Sequence, residues 1–220
     1  MAISLKERIK VIAASVFEPK IVKELLSQLH SGYLLEQGWF KSFNSKKPVD
    51  KNGEPIPWIS YPCIDFLSSR LNSEMILFEY GSGNSTLYYA SKVKKVLAVE
   101  HNEKWFDIIK SKLPSNVELI FTDFSMGGEY SHMSKVKGGK FDIIIVDGVD
   151  RNNCIKYSSE ALSDRGIIIL DDSERTEYSE GILFLVNKKF KRLDFWGIAP
   201  SVLFKKCTTI FYNNNNCLGI

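Results

Sequence analysis

The sequence predicts an α/β domain on a doubly wound, seven-stranded sheet, mostly parallel with an antiparallel pair at its C-terminal end, preceded by N-terminal helices. Three observations predict it. From residue 75 onward, short apolar runs rich in β-branched residues alternate with stretches of helical length. These runs are apolar almost throughout rather than at every second position, as in a parallel sheet covered on both faces. After the last helical stretch, two strand-like runs are joined by a short loop containing Pro200. Such a link suits an antiparallel pair, because a parallel crossover needs a dozen or more residues.

The elements follow in order. Ser4-Leu5-Lys6-Glu7 has the spacing of a capping box, and Leu5, Ile9, Ile12, Ala13 and Val16 continue at helical spacing. Pro19 suits the first turn of a second helix that carries Ile21, Leu25, Leu26 and Leu29 on one face, with Gly32 expected to close it. Residues 40–57 are rich in Ser, Asn, Lys and Pro, and Asn52-Gly53 signals a turn. A short helix with Ile64, Leu67 and Leu71 comes next. The strands are expected at Met75–Phe78, Val96–Val99, Val117–Phe121, Phe141–Val146 and Ile167–Leu170, then Phe190–Ile198 and Thr208–Tyr212. Helices are expected at Ser85–Ser91, Glu103–Leu113, Asn152–Leu162 and Glu174–Lys189. The Gly127–Gly139 stretch, with a glycine pair at each end, is expected to be a mobile flap. Residues 1–72 thus form a helical and aromatic extension, and residues 73–220 the α/β domain.

Composition narrows the function. A net charge of +3 spread over 220 residues lacks the clustered basic face of a nucleic-acid binder. The pairs Lys94-Lys95 and Lys205-Lys206 are expected in solvent. Four cysteines without a Cys-x-x-Cys pair point away from zinc knuckles and disulfide frameworks, toward a reducing compartment. No segment approaches the roughly 20 apolar residues of a membrane helix. The expectation is a soluble cytoplasmic protein with no membrane or nucleic-acid partner, and with an oligomer left open.

The first strand ends in Glu79 and turns through Gly81-Ser82-Gly83 into a helix beginning Asn84-Ser85-Thr86. Glycine here allows a positive φ and lets a ligand approach the backbone. The second strand ends in Glu100, 21 residues after Glu79, where a carboxylate can accept from a ribose diol. The third ends near Asp123, a plausible acceptor for an adenine amino group. A nicotinamide-binding fingerprint wants Gly or Ala where Thr86 stands.

With the closing strand pair and Val99-Glu100-His101, these residues resemble class I S-adenosylmethionine-dependent methyltransferases, whose sheet is Rossmann-like. The resemblance covers roughly residues 75–212. It implies S-adenosyl-L-methionine as cofactor, held by Glu79, Gly81, Ser82, Gly83, Ser85, Thr86, Glu100, His101, Asp123 and Asp147. Strand four ends in Asp147 and strand five in Asp171-Asp172. Carboxylates converging at one sheet edge repel unless a cation or basic group joins them. Hard oxygen donors suit Mg²⁺, which could lower the pKa of a substrate hydroxyl. The Asp-Asp pair is similar to that of macrocin-type O-methyltransferases, and catechol-type enzymes have a related arrangement. This implies Asp147, Asp171 and Asp172 as metal ligands. Alternatively, Asp171-Asp172 could cap the next helix beside Ser173.

Asp147, His132 and Asp171 are the catalytic candidates, with His101 and Asp150 behind them. Arg151 could hold an anionic substrate or form an ordinary salt bridge. In the aromatic segment, Trp58 and Tyr61 are the residues expected to touch substrate, and the other rings to anchor the segment. The expected substrate is a small molecule or sugar bearing a hydroxyl. The alternatives are an NAD(P)-dependent oxidoreductase and a non-catalytic cofactor-binding domain. Asn213–Asn216 could be flexible or could support turns by binding their own backbone, and the apolar end Cys217-Leu218-Gly219-Ile220 could dock against the domain or be disordered.

Overall fold

The computed structural model describes residues 4–220. The N-terminal helices are α1 (Leu5–Phe17), α2 (Pro19–Ser27), α3 (Tyr33–Glu36), α4 (Trp39–Ser45) and α5 (Tyr61–Ser68). The alternating part runs β1 (Ile76–Tyr80), α6 (Asn84–Ala90), β2 (Lys95–Glu100), α7 (Glu103–Lys110), β3 (Val117–Phe121), α8 (Glu129–Val136), β4 (Phe141–Val146), α9 (Arg151–Ala161) and β5 (Leu162–Asp171). A 3-10 turn at Thr176–Tyr178, α10 (Ser179–Asn187), β6 (Lys191–Ala199) and β7 (Val202–Tyr212) complete it.

The seven strands form one sheet in the order β3-β2-β1-β4-β5-β7-β6. β1 to β5 pair in parallel, and β7 pairs antiparallel with both β5 and β6. Successive strand residues point to opposite faces, so each apolar run feeds two cores. Leu77, Val96, Ile143, Ile145, Ile167, Ile169 and Ile210 face one side, with Tyr61, Leu67 and Tyr89 packed on them. Phe78, Tyr80, Val99, Ile144, Val146, Ile168 and Leu170 face the other, against Tyr130, Ile155 and Leu185. Burying one such side chain contributes about 1.5–3 kcal/mol.

The aromatic segment joins the first core through Trp39, Ile56, Ile59 and Tyr61. The indole N–H of Trp39 donates to the carbonyl of Val202, 3.1 Å away, which ties the segment to the start of β7. The turn at Asn52-Gly53 forms as expected, with the Asp50 carboxylate accepting from the amides of Asn52 and Glu54.

The capping box at Ser4 and Glu7 also forms, each side chain accepting from the other's amide. Ile9, Ile12, Ile21, Leu25, Leu26 and Leu29 are exposed, while the side chains of Leu5 and Val16 lie outside the described residues. Gly32 does not close α2. With φ of 102° it precedes α3.

Two further expectations change, and one open alternative is decided. The Gly127–Gly139 stretch contains α8, whose Tyr130, Ser131, Met133 and Ser134 are buried, so it is a packed layer rather than a flap. β7 begins at Val202, six residues before the expected Thr208, because the hairpin pairs up to Ala199 and Val202. The C-terminus docks. Asn216 is buried, accepts from the amides of Leu218 and Ile220, and donates to the carbonyls of Asn213 and Ile220.

Candidate active site at the carboxyl ends of the strands

Parallel pairing sets the strand ends side by side. Tyr80 pairs with Val146, and Val146 with Leu170, so Gly81, Asp147 and Asp171 follow one another along the sheet edge. Gly81 has φ of 96°, a conformation that costs an L-residue energy, and a Cβ there would lie 3.3 Å from the carbonyl oxygen of Asp147. Gly148 is required by close approach, since a Cβ would collide with the Tyr130 hydroxyl. The loop and the β4 end therefore touch backbone to backbone.

Thr86 organises this loop. Its hydroxyl donates to Glu79 Oε2 at 2.5 Å and accepts from the amide of Gly83 at 2.9 Å. A glycine at that position would leave both groups without this partner. Glu79 is buried, and burial pushes its carboxyl up to about 8, with the hydroxyls of Ser85 and Thr86 opposing the rise. Ser82 donates to Glu100 Oε2 at 2.8 Å, and the amides of His101 and Asn102 donate to Glu100 Oε1, both at 2.9 Å. A carboxylate offers about four lone-pair sites, so one acceptor position remains. The indole N–H of Trp105 donates to the Ser82 carbonyl at 2.8 Å.

Beyond Glu100, the rings of His101, Phe124 and Tyr130 meet with centroids 5.8 to 6.4 Å apart. His101 Nδ1 is buried 3.2 Å from Glu100 Oε1 without hydrogen-bond geometry, and the hydroxyls of Tyr130 and of Thr122, on the turn leading to Phe124, are buried without a hydrogen-bond partner. Asp123 is exposed on the same turn.

Two cavities open at this edge. The first, about 290 Å³, is lined by Ser82, Gly83, Asn84 and Ser85 on one side, Trp105 and Ile108 on another, and Trp58 and Asp147. The second, about 360 Å³, is lined by Asp147, Asp171, Asp172, Arg175 and Lys206, with Trp58, Val202 and Phe204 as its apolar wall. Asp147 and Trp58 line both. Glu100, His101 and Asp123 are not among the residues lining the first cavity.

The carboxylates are matched by protein cations. Asp147 Oδ1 accepts from Arg151 at 2.9 Å, and Oδ2 has no hydrogen-bond partner among the described residues. Arg151 also donates to the carbonyls of Gly148 and Asp171, so it ties β4 to β5. Neither a surface salt bridge nor an open anion site describes it. Asp172 has φ of 52° and pairs with Lys206 at 2.9 Å and Arg175 at 2.8 Å. Asp171 is 2% exposed and accepts from Lys206 at 2.6 Å and from the Thr208 hydroxyl at 2.7 Å.

Burial lifts the carboxyl of Asp171 to about 7, with the Asp147 charge adding to the rise and Lys206 opposing it. Burial also raises Asp147, while Arg151 and Lys206 pull it back. Burial alone would lower the Lys206 ammonium, but Asp171 and Asp172 hold it above its ordinary value.

Several sequence expectations are corrected here. The donor set does not fit a divalent metal, because Arg151, Arg175 and Lys206 already pair with its carboxylates. Among the described residues, no group of three or more His, Cys, Asp or Glu side chains is placed to hold a metal ion. Asp171-Asp172 is no helix cap either, since its oxygens face Lys206, Arg175 and Thr208. His132 lies on α8 with its ring 3.8 Å from that of Tyr157 on α9, and neither cavity includes it among its lining residues. Asp150 accepts from the amide of Gly127 and from Asn153, which makes it a loop tie rather than a base. Tyr61 is buried in the core, whereas Trp58 is 42% exposed at both cavities.

Lys206 is the site residue that the sequence conceals. Its neighbours place it in solvent, yet it is 6% exposed. The signal lies in β7, where Lys206 stands two residues before Thr208 and so shares its face with Thr208 and Ile210.

The strand order, with its reversed β7, now decides the architecture. It is the class I methyltransferase fold. No protein-family model matches the sequence, and no curated protein sequence matches it. Solved structures with the same fold do. A provisionally assigned O-methyltransferase of Klebsiella pneumoniae is similar over 88% of this chain and 96% of its own, at 14% identity and a TM-score of 0.53. The precorrin-6y C5,15-methyltransferase of Geobacter metallireducens GS-15 is similar over 69% and 87%, at 13% identity and a TM-score of 0.52. A provisionally assigned methyltransferase of Streptococcus mutans, solved with S-adenosylhomocysteine, is similar over 68% and 94%, at 18% identity and a TM-score of 0.50. Identities this low establish the methyltransferase fold and leave the chemistry to the site. No helix among the described residues is long and apolar enough to cross a membrane.

Proposed function

We propose that this chain is an S-adenosylmethionine-dependent methyltransferase acting on the hydroxyl of a small molecule. The observation that carries the reading is the meeting of two cavities at Asp147 and Trp58, one against the glycine loop and one against the carboxylate cluster. The residues fit the cofactor. Gly81 keeps its loop free of a Cβ, Glu100 has an acceptor position to spare, and unpartnered polar atoms gather around His101 and Tyr130. Gly81 to Ser85 would hold the methionine half, Glu100 the ribose, and His101 with Asp123 the adenine side.

The cofactor supplies an electrophilic methyl group on a sulfonium. The chain's own residues position the acceptor and remove its proton. Trp58, Val202 and Phe204 offer the acceptor an apolar wall. Asp147 Oδ2, the carboxylate oxygen without a partner, takes the hydroxyl proton as the new oxygen–carbon bond forms and the sulfur–carbon bond breaks. Arg151 holds the other oxygen of Asp147 and keeps the carboxylate aimed. Because burial raises the basicity of Asp147, it accepts that proton more readily than an exposed carboxylate would.

Calorimetry with S-adenosylhomocysteine tests the cofactor half, and absence of saturable binding ends the proposal. For the acceptor half, Asp147→Asn is expected to lower kcat by about 10²–10⁴. Its affinity for S-adenosylhomocysteine should stay within about threefold of wild type, a difference of less than about 1 kcal/mol. Unchanged turnover would remove Asp147 as the base.

A further inference from the structure

Lys206 crosses from β7 into the carboxylate cluster at the wall of the second cavity, and its ammonium is fully partnered. The Nζ lies 2.6 Å from Asp171 Oδ2, 2.9 Å from Asp172 Oδ1 and 3.3 Å from the carbonyl oxygen of Trp58. An ammonium has three hydrogens, and each has one of these acceptors. The side chain lines the second cavity yet is only 7% exposed, so protein atoms cover nearly all of it. Arg151 meets Asp147, and Arg175 meets Asp172. Three carboxylates are therefore faced by three cations, all supplied by the chain. A hard divalent ion needs the same oxygens at about 2.0–2.1 Å for Mg²⁺, and could reach them only by expelling the ammonium.

We propose that Lys206 is a built-in cation taking the place of a divalent metal in this cavity, and that the acceptor accordingly presents a single hydroxyl rather than a chelating pair of oxygens. The second part rests on reading the cavity as an acceptor site; the first does not. A bound metal offers open coordination positions, which two adjacent substrate oxygens can fill together. An ammonium with all its hydrogens committed offers none. Orientation then falls to the apolar wall of Trp58, Val202 and Phe204, and the proton goes to Asp147. Lys206 is a positioning residue. It fixes Asp171, Asp172 and the Trp58 backbone in one arrangement and touches no reacting atom.

The test is thermal unfolding of the full chain with and without Mn²⁺ and with no cofactor present, so its outcome does not depend on methyl transfer. The wild-type midpoint should move by less than about 1 °C. Lys206→Met keeps most of the stem's volume and removes its charge. At one hundred times the dissociation constant, Mn²⁺ should raise that variant's midpoint by roughly 5 °C or more. Adding Asp172→Asn to it should abolish the rise. A cooperatively unfolding Lys206→Met that ignores Mn²⁺ overturns the proposal. So does a wild-type rise that Asp172→Asn removes. Should Lys206→Met fold only when Mn²⁺ is added, the proposal stands; should Mn²⁺ fail to restore it, the proposal falls.

The substrate part is tested with paired phenol and vicinal-diol acceptors. Turnover should favour the single hydroxyl and stay within about twofold when EDTA is added. A preference for the diol that EDTA abolishes overturns it. If neither acceptor class nor any other is methylated, the functional reading fails while the Mn²⁺ result still decides the role of Lys206.

Discussion

Replacing Glu79 with glutamine should make the protein more stable at high pH and change it little at low pH. Glu79 ends the first strand 1% exposed, and its carboxyl is raised from an ordinary 4.5 to about 8. The folded chain therefore binds a proton that the unfolded chain has released throughout that window. The stability associated with this proton is fully present below about pH 4.5, and it is lost as pH rises toward about 8. Across that window each pH step of one costs about 1.4 kcal/mol, so the loss between about pH 5 and about pH 8 is on the order of 3 kcal/mol. Glutamine stays neutral, keeps an oxygen to accept from Thr86, and has no such loss. The assay is urea unfolding of both proteins across the range, with stability taken from the midpoint and slope. Asp171 has a raised carboxyl too and titrates in both proteins, so it largely cancels in the difference between the two curves. The glutamine variant should be ahead by about 3 kcal/mol at high pH and near parity at low pH. A constant difference across the range, or a variant that loses ground as pH rises, would refute the reasoning.

Gly81→Ala places a Cβ on a residue with φ of 96° and 3.3 Å from the Asp147 carbonyl. A loss of about 1–2 kcal/mol is expected from the backbone alone, read as a fall of roughly 2–8 °C in the midpoint of thermal unfolding. S-adenosylhomocysteine binding should weaken with it, and an unaltered affinity would show that the loop does not carry the cofactor. Arg151→Met removes a largely buried partner of Asp147 and two donors to backbone carbonyls. Urea unfolding should show a loss of about 3 kcal/mol, and a loss under about 1 kcal/mol would mean that β4 and β5 are held together without it.

How far the site was legible varies by residue. The glycine loop was readable because its requirement is local. A positive φ after a strand and a helix start right behind it belong to consecutive residues. The placement of Glu100 and Asp147 was readable for a related reason, since adjacent parallel strands end at one edge. Thr86 stood out only as a departure from a glycine pattern, and its purpose depends on Glu79 pointing back at it from the strand. His132 looked free because glycine pairs suggested a flap, but burial of Tyr130 and Met133 holds its helix against the sheet.

By itself, the sequence determined the layered α/β architecture, the reversed closing strand and the glycine turn. Each of these is encoded by periodicity or by backbone demands within a few residues. Only the tertiary structure decided how the carboxylates are neutralised. Asp171 and Lys206 are 35 positions apart and meet because β7 runs antiparallel beside β5, in a register that sets Asp171 against Thr208. That register sends Lys206 inward to the carboxylates, where burial makes an unmatched charge costly. A lysine read from its neighbours belongs in water. The alternation of β7 gives its face, and only the partner strand β5 gives the carboxylates it meets there.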